Sequence, residues 1–249
     1  MTVTLERPAL DSSDVVKIDE TVSIDKTPSE ELDEMFAAME AAGTPEGYRS
    51  QIVEGQIVMS PQRDVHWNII DLLAEDVKDL VGRRTGRILS DVRVDFPGYL
   101  NGFAPDLMLL VEGAQPLVGG NGEQRYQCDD VQLVAEVVSK SSCRTDYEIK
   151  LTTYAEASVP VYVIADPIKA MVTVYSEPAD GKYQIIHTYH FGATFTIPHD
   201  KGIVVDTDDW PRDEPRPAKP ATTTKAATAT KPAKAATATK AAKAARPKK

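Results

Sequence analysis

Apolar residues recur along this chain at two spacings, every second position and every third or fourth, and the switches between them mark its elements. The clearest switch lies between Val131 and Asp166. Val131 to Val138 reads as a strand with Val131, Leu133, Ala135 and Val137 on one face and Gln132, Val134, Glu136 and Val138 on the other. Both faces are largely apolar, as in a strand covered on both sides. A Ser-rich turn and a helix follow. Thr145 and Glu148 have capping-box spacing, and about 100° per residue places Tyr147, Leu151, Tyr154 and Ser158 on the inward stripe. Val161 to Asp166 is a second buried strand. Glu136 is the anomaly here, because a carboxylate in a covered strand needs a hydrogen-bonded partner, a cation or a metal ion.

The other elements follow from the same patterns. Thr27-Pro28-Ser29-Glu30 is a capping box with Pro at the first helical position, and Leu32, Met35, Phe36 and Met39 continue a helix that Gly43 closes. Tyr48 to Val53 and Ile57 to Ser60 form a hairpin around Glu54-Gly55-Gln56. Ile69, Ile70, Leu72, Leu73, Val77, Leu80 and Val81 trace one face of a helix over Val65 to Arg83, the strongest helical signal in the chain. One or two strands are expected over Arg87 to Phe96, a turn at Pro97-Gly98, and a strand over Phe103 to Val111 with Asp106 on the face of Met108 and Leu110. Residues 112–130 read as a loop. Strands are expected over Met171 to Glu177 and Tyr183 to Tyr189, hinged at Asp180-Gly181, and near Thr194 to Ile197 and Ile203 to Val205.

Composition then divides the 249 residues into three parts. Residues 1–26 are polar and acidic without periodicity and read as disordered, 27–210 as one globular domain, and 211–249 as a disordered tail of Lys, Ala, Thr and Pro in which KAATATK occurs twice. Ten of the 28 Lys and Arg residues lie between Arg216 and Lys249 and none of the 38 acids does. Residues 1–215 therefore carry 18 basic against 38 acidic side chains, a balance of −20. An acidic body with a basic tail places polyanion binding on the tail, at Lys225, Lys231, Lys234, Lys240 and Lys243 among others. With neither a long apolar run nor a secretory signal, a cytoplasmic protein without membrane association is expected. Cys128 and Cys143 have no zinc-ligand spacing and read as plain thiols.

An ordered set remains: Pro105-Asp106, then Glu136-Val137-Val138-Ser139, then Asp146 and Lys150 on the following helix. Its order resembles that of the PD-(D/E)XK nuclease superfamily. From about Tyr48 to Val174 the chain more closely resembles the Uma-type restriction endonuclease family, formerly a domain of unknown function. The resemblance rests on Glu54-Gly55, Met59-Ser60-Pro61, His66, Pro105-Asp106, Glu136 to Ser139, Lys150, Tyr154 and Val161 to Pro167. It implies an α/β fold with a mixed sheet, a restriction-endonuclease-like PD-(D/E)XK core with flanking helices. It also implies a divalent-metal-dependent DNA endonuclease that hydrolyses phosphodiester bonds. Asp106, Glu136 and the carbonyl of Val137 would hold Mg²⁺ or Mn²⁺, and Lys150 would act on the attacking water or the phosphate. Glu54 and His66 are accessory candidates, and a double-strand cut favours a homodimer on symmetry grounds.

The superfamily's lysine two residues after the acid is absent, since Val138 stands there, and the resemblance moves its role to Lys150; Lys140, on the Ser-rich turn, is the rival. Each residue also has a plainer reading. Asp106 would cap a turn or pair with Arg93, Lys150 would form a helix-surface salt bridge with Asp146 worth a few tenths of a kcal/mol, Ser139 would cap the turn, and Tyr154 would belong to the core. The alternatives for the whole chain are an inactive nuclease-fold protein that binds nucleic acid through its tail, and an interaction domain with structurally paired acids.

Overall fold

The computed structural model describes residues 15–16, 26–82, 87–119, 122–200 and 202–213. The 1–26 segment and the tail expected to be disordered lie outside these, apart from residues 15, 16, 26 and 211–213. In chain order the strands and helices are β1 (Val15–Val16), α1 (Pro28–Ala42), β2 (Tyr48–Val53), β3 (Gln56–Pro61), α2 (Asp64–Val81), β4 (Ile88–Leu89), β5 (Val94–Phe96), β6 (Asn101–Phe103), β7 (Leu107–Leu110), β8 (Leu117–Val118), β9 (Gln124–Gln127), β10 (Val131–Val137), α3 (Leu151–Glu156), β11 (Val161–Asp166), β12 (Met171–Ala179), β13 (Lys182–His190), β14 (Thr194–Ile197) and β15 (Ile203–Asp206). Among the described residues they form a six-stranded sheet in the order β13-β12-β11-β10-β7-β4, a second sheet in the order β1-β3-β2-β6-β5-β9-β8, and the β14–β15 pair. β10 and β11 are parallel and the other neighbours in the six-stranded sheet are antiparallel, so the fold is mixed α/β.

Two apolar cores enclose the six-stranded sheet. On one face Leu107, Leu109, Leu133, Ala135, Val137, Val161 and Val163 pack with Ile69, Ile70, Leu73, Ala74 and Val77 of α2. On the other, Met108, Leu110, Val134, Val138, Tyr162 and Ile164 pack with Tyr154 and Ala155 of α3 and with Val94, Phe96 and Phe103 of the second sheet. Full burial of each such side chain contributes about 1.5–3 kcal/mol, which secures the strand register and with it the position of Glu136. Val131 belongs to the second face, against the alternation expected of it, because the β7–β10 register shifts between Val131 and Leu133.

Local signals set several elements. The capping box at Thr27 forms, with the Thr27 N–H donating to Glu30 Oε2 at 2.8 Å. The β2–β3 hairpin turns through Glu54 and Gly55 at φ 49° and 72°, the left-handed pair that a two-residue loop requires. α1 rests on β6 at Gly102, where a Cβ would come 2.5 Å from a ring carbon of Phe36.

Two expectations fail on tertiary grounds. The strand expected over Phe103 to Val111 is broken at Ala104-Pro105-Asp106, because β6 pairs in the second sheet while β7 pairs in the first. Residues 112–130 contain β8, β9 and a 3₁₀ turn, Cys128–Asp130, and β9 pairs with the distant β5.

Candidate active site

The site forms where β10 outruns its neighbour. The β7–β10 ladder ends at Ala135 and Leu107, since Pro105-Asp106 leads the chain across to the second sheet. Two residues further along, the Val137 N–H has no strand partner on that side and donates instead to Asp106 Oδ2 at 2.6 Å. The other oxygen of Asp106 takes the Arg49 guanidinium, which also donates to the Ala104 carbonyl at 2.8 Å. The alternative partner Arg93 is engaged elsewhere: it is buried and holds Asp33 and Asp95, tying α1 to β5.

Glu136, 2 % exposed, points from β10 toward the helix before β11. Its Oε1 accepts from Lys150 Nζ at 2.8 Å and from the Tyr154 hydroxyl at 2.7 Å. Lys150 is 1 % exposed, and its Nζ also lies 3.6 Å from Asp146 Oδ1. The helix-surface salt bridge is therefore a buried one, for a specific reason. Thr145–Lys150 is π-wound, and the wider turn brings Asp146 and Lys150 into line with Tyr154. On a regular α-helix the inward stripe would run through Tyr147, Leu151 and Ser158; here Ser158 is exposed and Tyr147 and Leu151 are only partly buried. The capping box at Thr145 does not form. Ser139 caps this helix, its Oγ accepting from the Ser142 N–H at 3.0 Å and its carbonyl from the Cys143 N–H at 3.1 Å.

Burial acts strongly on these groups. Desolvation, opposed by Lys150 and reinforced by Glu136, pushes Asp146 up to about 6. Desolvation and the Glu136 charge raise the Tyr154 hydroxyl far above its usual range, so it stays a donor. Burial lowers His66, which sits 3.3 Å through Nε2 from the Val138 carbonyl and is a neutral imidazole near pH 7.

Asp106, Glu136, Val137, Asp146, Lys150 and His66 all line one open cleft of about 240 Å³, together with Arg49 and Gln51 of β2 and Arg63 and Trp67 of the α2 entry. Of the residues expected in the site, Glu54 is exposed at the β2–β3 turn and does not line this cleft. The rival Lys140 is exposed on its turn and does not line it either. The tail lysines from Lys225 to Lys243 lie outside the described residues. Tyr154 is core, as its sequence suggested, yet it also holds the site's carboxylate. No local signal marks Arg49; Asp146 and Tyr154 share a four-residue spacing with Lys150 that points to the π-wound stripe once the helix is known to start at Cys143.

Residues 33–204 match the profile of the Uma2 family, described as "Putative restriction endonuclease". The chain belongs to the Uma2 family. The match includes every cleft residue named above. A crystal structure of "a putative nuclease belonging to DUF820" from Anabaena variabilis ATCC 29413 is similar at 20% sequence identity and a TM-score of 0.49, over 67% of this chain and 88% of that one. No curated protein matches the chain. Uma2 membership places the chain in a nuclease family, and its sheets and helices have the mixed α/β architecture that its motifs implied. Among the described residues no helix is long and apolar enough to cross a membrane.

Proposed function

We propose that this Uma2 chain is a divalent-metal-dependent DNA endonuclease whose site is Asp106, Glu136 and Lys150. The observation that carries the reading is the meeting of all three in one open cleft, although they come from a strand entry, a strand centre and a helix. Among the described residues no group of three or more His, Cys, Asp or Glu forms a metal cage. Two carboxylates, the Val137 carbonyl and water nevertheless suit Mg²⁺ or Mn²⁺, which commonly bind through one or two carboxylates and the substrate phosphate. In an extended strand the carbonyl of Val137 points to the same side as its N–H, toward Asp106. Each carboxylate oxygen has two acceptor positions, so the hydrogen bonds to Arg49, Val137, Lys150 and Tyr154 leave room for an ion.

When bound, such an ion orients the phosphate and offsets its developing charge. The protein's own groups do the rest. Arg49 aims the Asp106 carboxylate, and Tyr154 and Lys150 lock the Glu136 rotamer. With Glu136 and Asp146 each taking one of its three protons, the Lys150 ammonium has one left to offer the attacking water or a phosphate oxygen in the cleft. Asp146 holds that ammonium in place from the other side. The basic tail supplies sequence-independent affinity for the strand that the acidic body lacks.

The existing pairs of both acids favour a second reading, an inactive nuclease fold whose tail alone binds DNA. Supercoiled plasmid distinguishes the two. The full chain should nick or linearise it with Mg²⁺ or Mn²⁺ and not with EDTA, and Glu136→Gln and Asp106→Asn should each slow this at least about 100-fold, the scale of losing a transition-state electrostatic contact. Cleavage that survives either substitution excludes this site, and a wild type that retards DNA without ever cutting it establishes the inactive fold.

A further inference from the structure

Two groups in the cleft have no part in the chemistry above. Trp67, on the first turns of α2, is 61 % exposed where it lines the cleft. Gln51, from β2, is 7 % exposed, and its Oε1 is buried without a hydrogen-bond partner. An unpaired buried amide oxygen is a standing cost to the fold that any ligand offering an N–H or O–H removes. Their neighbours show how they are presented. Arg49 and Gln51 are alternate residues of β2 and share a face, with Ser60 opposite Arg49 on the same wall. Arg63 and Trp67 stand four residues apart at the entry of α2. The cleft thus offers an aromatic plate and an amide with an unpaired oxygen beside the reaction centre, while Arg49 and Arg63 are held in ion pairs with Asp106 and Asp213.

We infer that the cleft holds an unpaired nucleobase next to the scissile phosphate, with the Trp67 indole stacked on its face and the Gln51 amide on its hydrogen-bonding edge. This rests on the nuclease reading and deepens it by naming the substrate. A base inside a duplex has both faces covered by its neighbours and reaches an aromatic plate only when single-stranded or flipped out. Every base has a π-face, so stacking tolerates sequence, while an amide that can donate and accept meets a base edge on either kind of group. The preferred substrate is therefore single-stranded DNA, or duplex with an unpaired base, over intact duplex.

Intrinsic fluorescence reads this directly, because the chain has two tryptophans and Trp210 is 4 % exposed. The full chain is titrated in EDTA, so that nothing is cut, at about 0.3 M salt to weaken binding by the tail. The probes are a mixed-sequence single strand, the same strand in duplex, and an abasic single strand of equal length. Quenching by the single strand and not by the abasic strand is expected. Trp67→Ala should weaken binding roughly 5- to 150-fold, the loss of one base–aromatic stack, and Trp67→Phe should largely restore it. Gln51→Leu should weaken binding without lowering the melting temperature, since it removes an unpaired group. With Mg²⁺ the wild type should cut the single strand faster than the duplex. Equal quenching by normal and abasic strands, or unchanged binding in Trp67→Ala, overturns the base subsite even if cleavage proceeds. Base-dependent quenching without metal-dependent cleavage upholds the subsite and instead removes the nuclease reading.

Discussion

Replacing Lys150 by Met keeps an unbranched side chain of similar length and deletes its charge. In the native fold Nζ lies 2.8 Å from Glu136 Oε1 and 3.6 Å from Asp146 Oδ1, and none of the three residues is more than 2 % exposed. Removing one partner of such a buried pair costs about 3–5 kcal/mol. The same Asp–Lys spacing on an exposed helix face would contribute only about 0.3–0.5 kcal/mol, so the magnitude separates the two arrangements. Its pH dependence adds a sign. Asp146 titrates at about 6 even beside the ammonium, against about 3.9 in an unfolded chain. Without Lys150 its value rises further, the native state binds more protons than the unfolded state across that window, and stability falls as pH rises through it. The penalty should therefore be largest near pH 8 and shrink toward pH 5. Urea denaturation of the full chain at both pH values measures it, with Lys150→Met/Glu136→Gln as the control that should regain part of the loss. A penalty under about 1 kcal/mol at pH 8, or one that grows toward pH 5, would refute the buried triad.

Asp146 also shapes the activity profile. Its ionised form holds the Lys150 ammonium, and because burial pushes the group up to about 6, kcat/KM should climb as pH rises from 5 to 7; Asp146→Asn should flatten this limb, and an unaltered limb would assign it to another group. Truncation after Asp213 removes ten cations and no net acid beyond Glu214, so DNA retention should fall and the salt dependence of binding flatten, its logarithmic slope shrinking by up to about 9 if every tail cation meets a phosphate. Unchanged retention and slope would remove the tail from the binding scheme.

Much of this domain is written locally. The capping box at Thr27, the left-handed Glu54-Gly55 and Asp180-Gly181 turns, the apolar stripe of α2 and the doubly apolar strands β10 and β11 each arise from residues adjacent in sequence. Such features depend on backbone sterics and side-chain period, so a single chain displays them without its neighbours. Glu136 was conspicuous for the same reason, since its burial follows from the residues on either side of it. What surrounds it was not legible. Arg49 meets Asp106 across 57 positions of sequence, and only the pairing of β2 with β6 and the break at Pro105-Asp106 bring them together. The strand expected through Asp106 fails because two sheets compete for Phe103 and Leu107, a contest that local alternation does not record. Lys150 depended on winding. At a regular 100° per residue it lies at the edge of the helix and reads as a surface cation, whereas the π-wound turn, held between the Ser139 cap and the Tyr154 aromatic cluster, turns it onto Glu136. The apolar residues on either side of Glu136 are enough to bury it, whereas the cation that meets it comes from a π-wound helix fourteen residues away, whose winding no local period records.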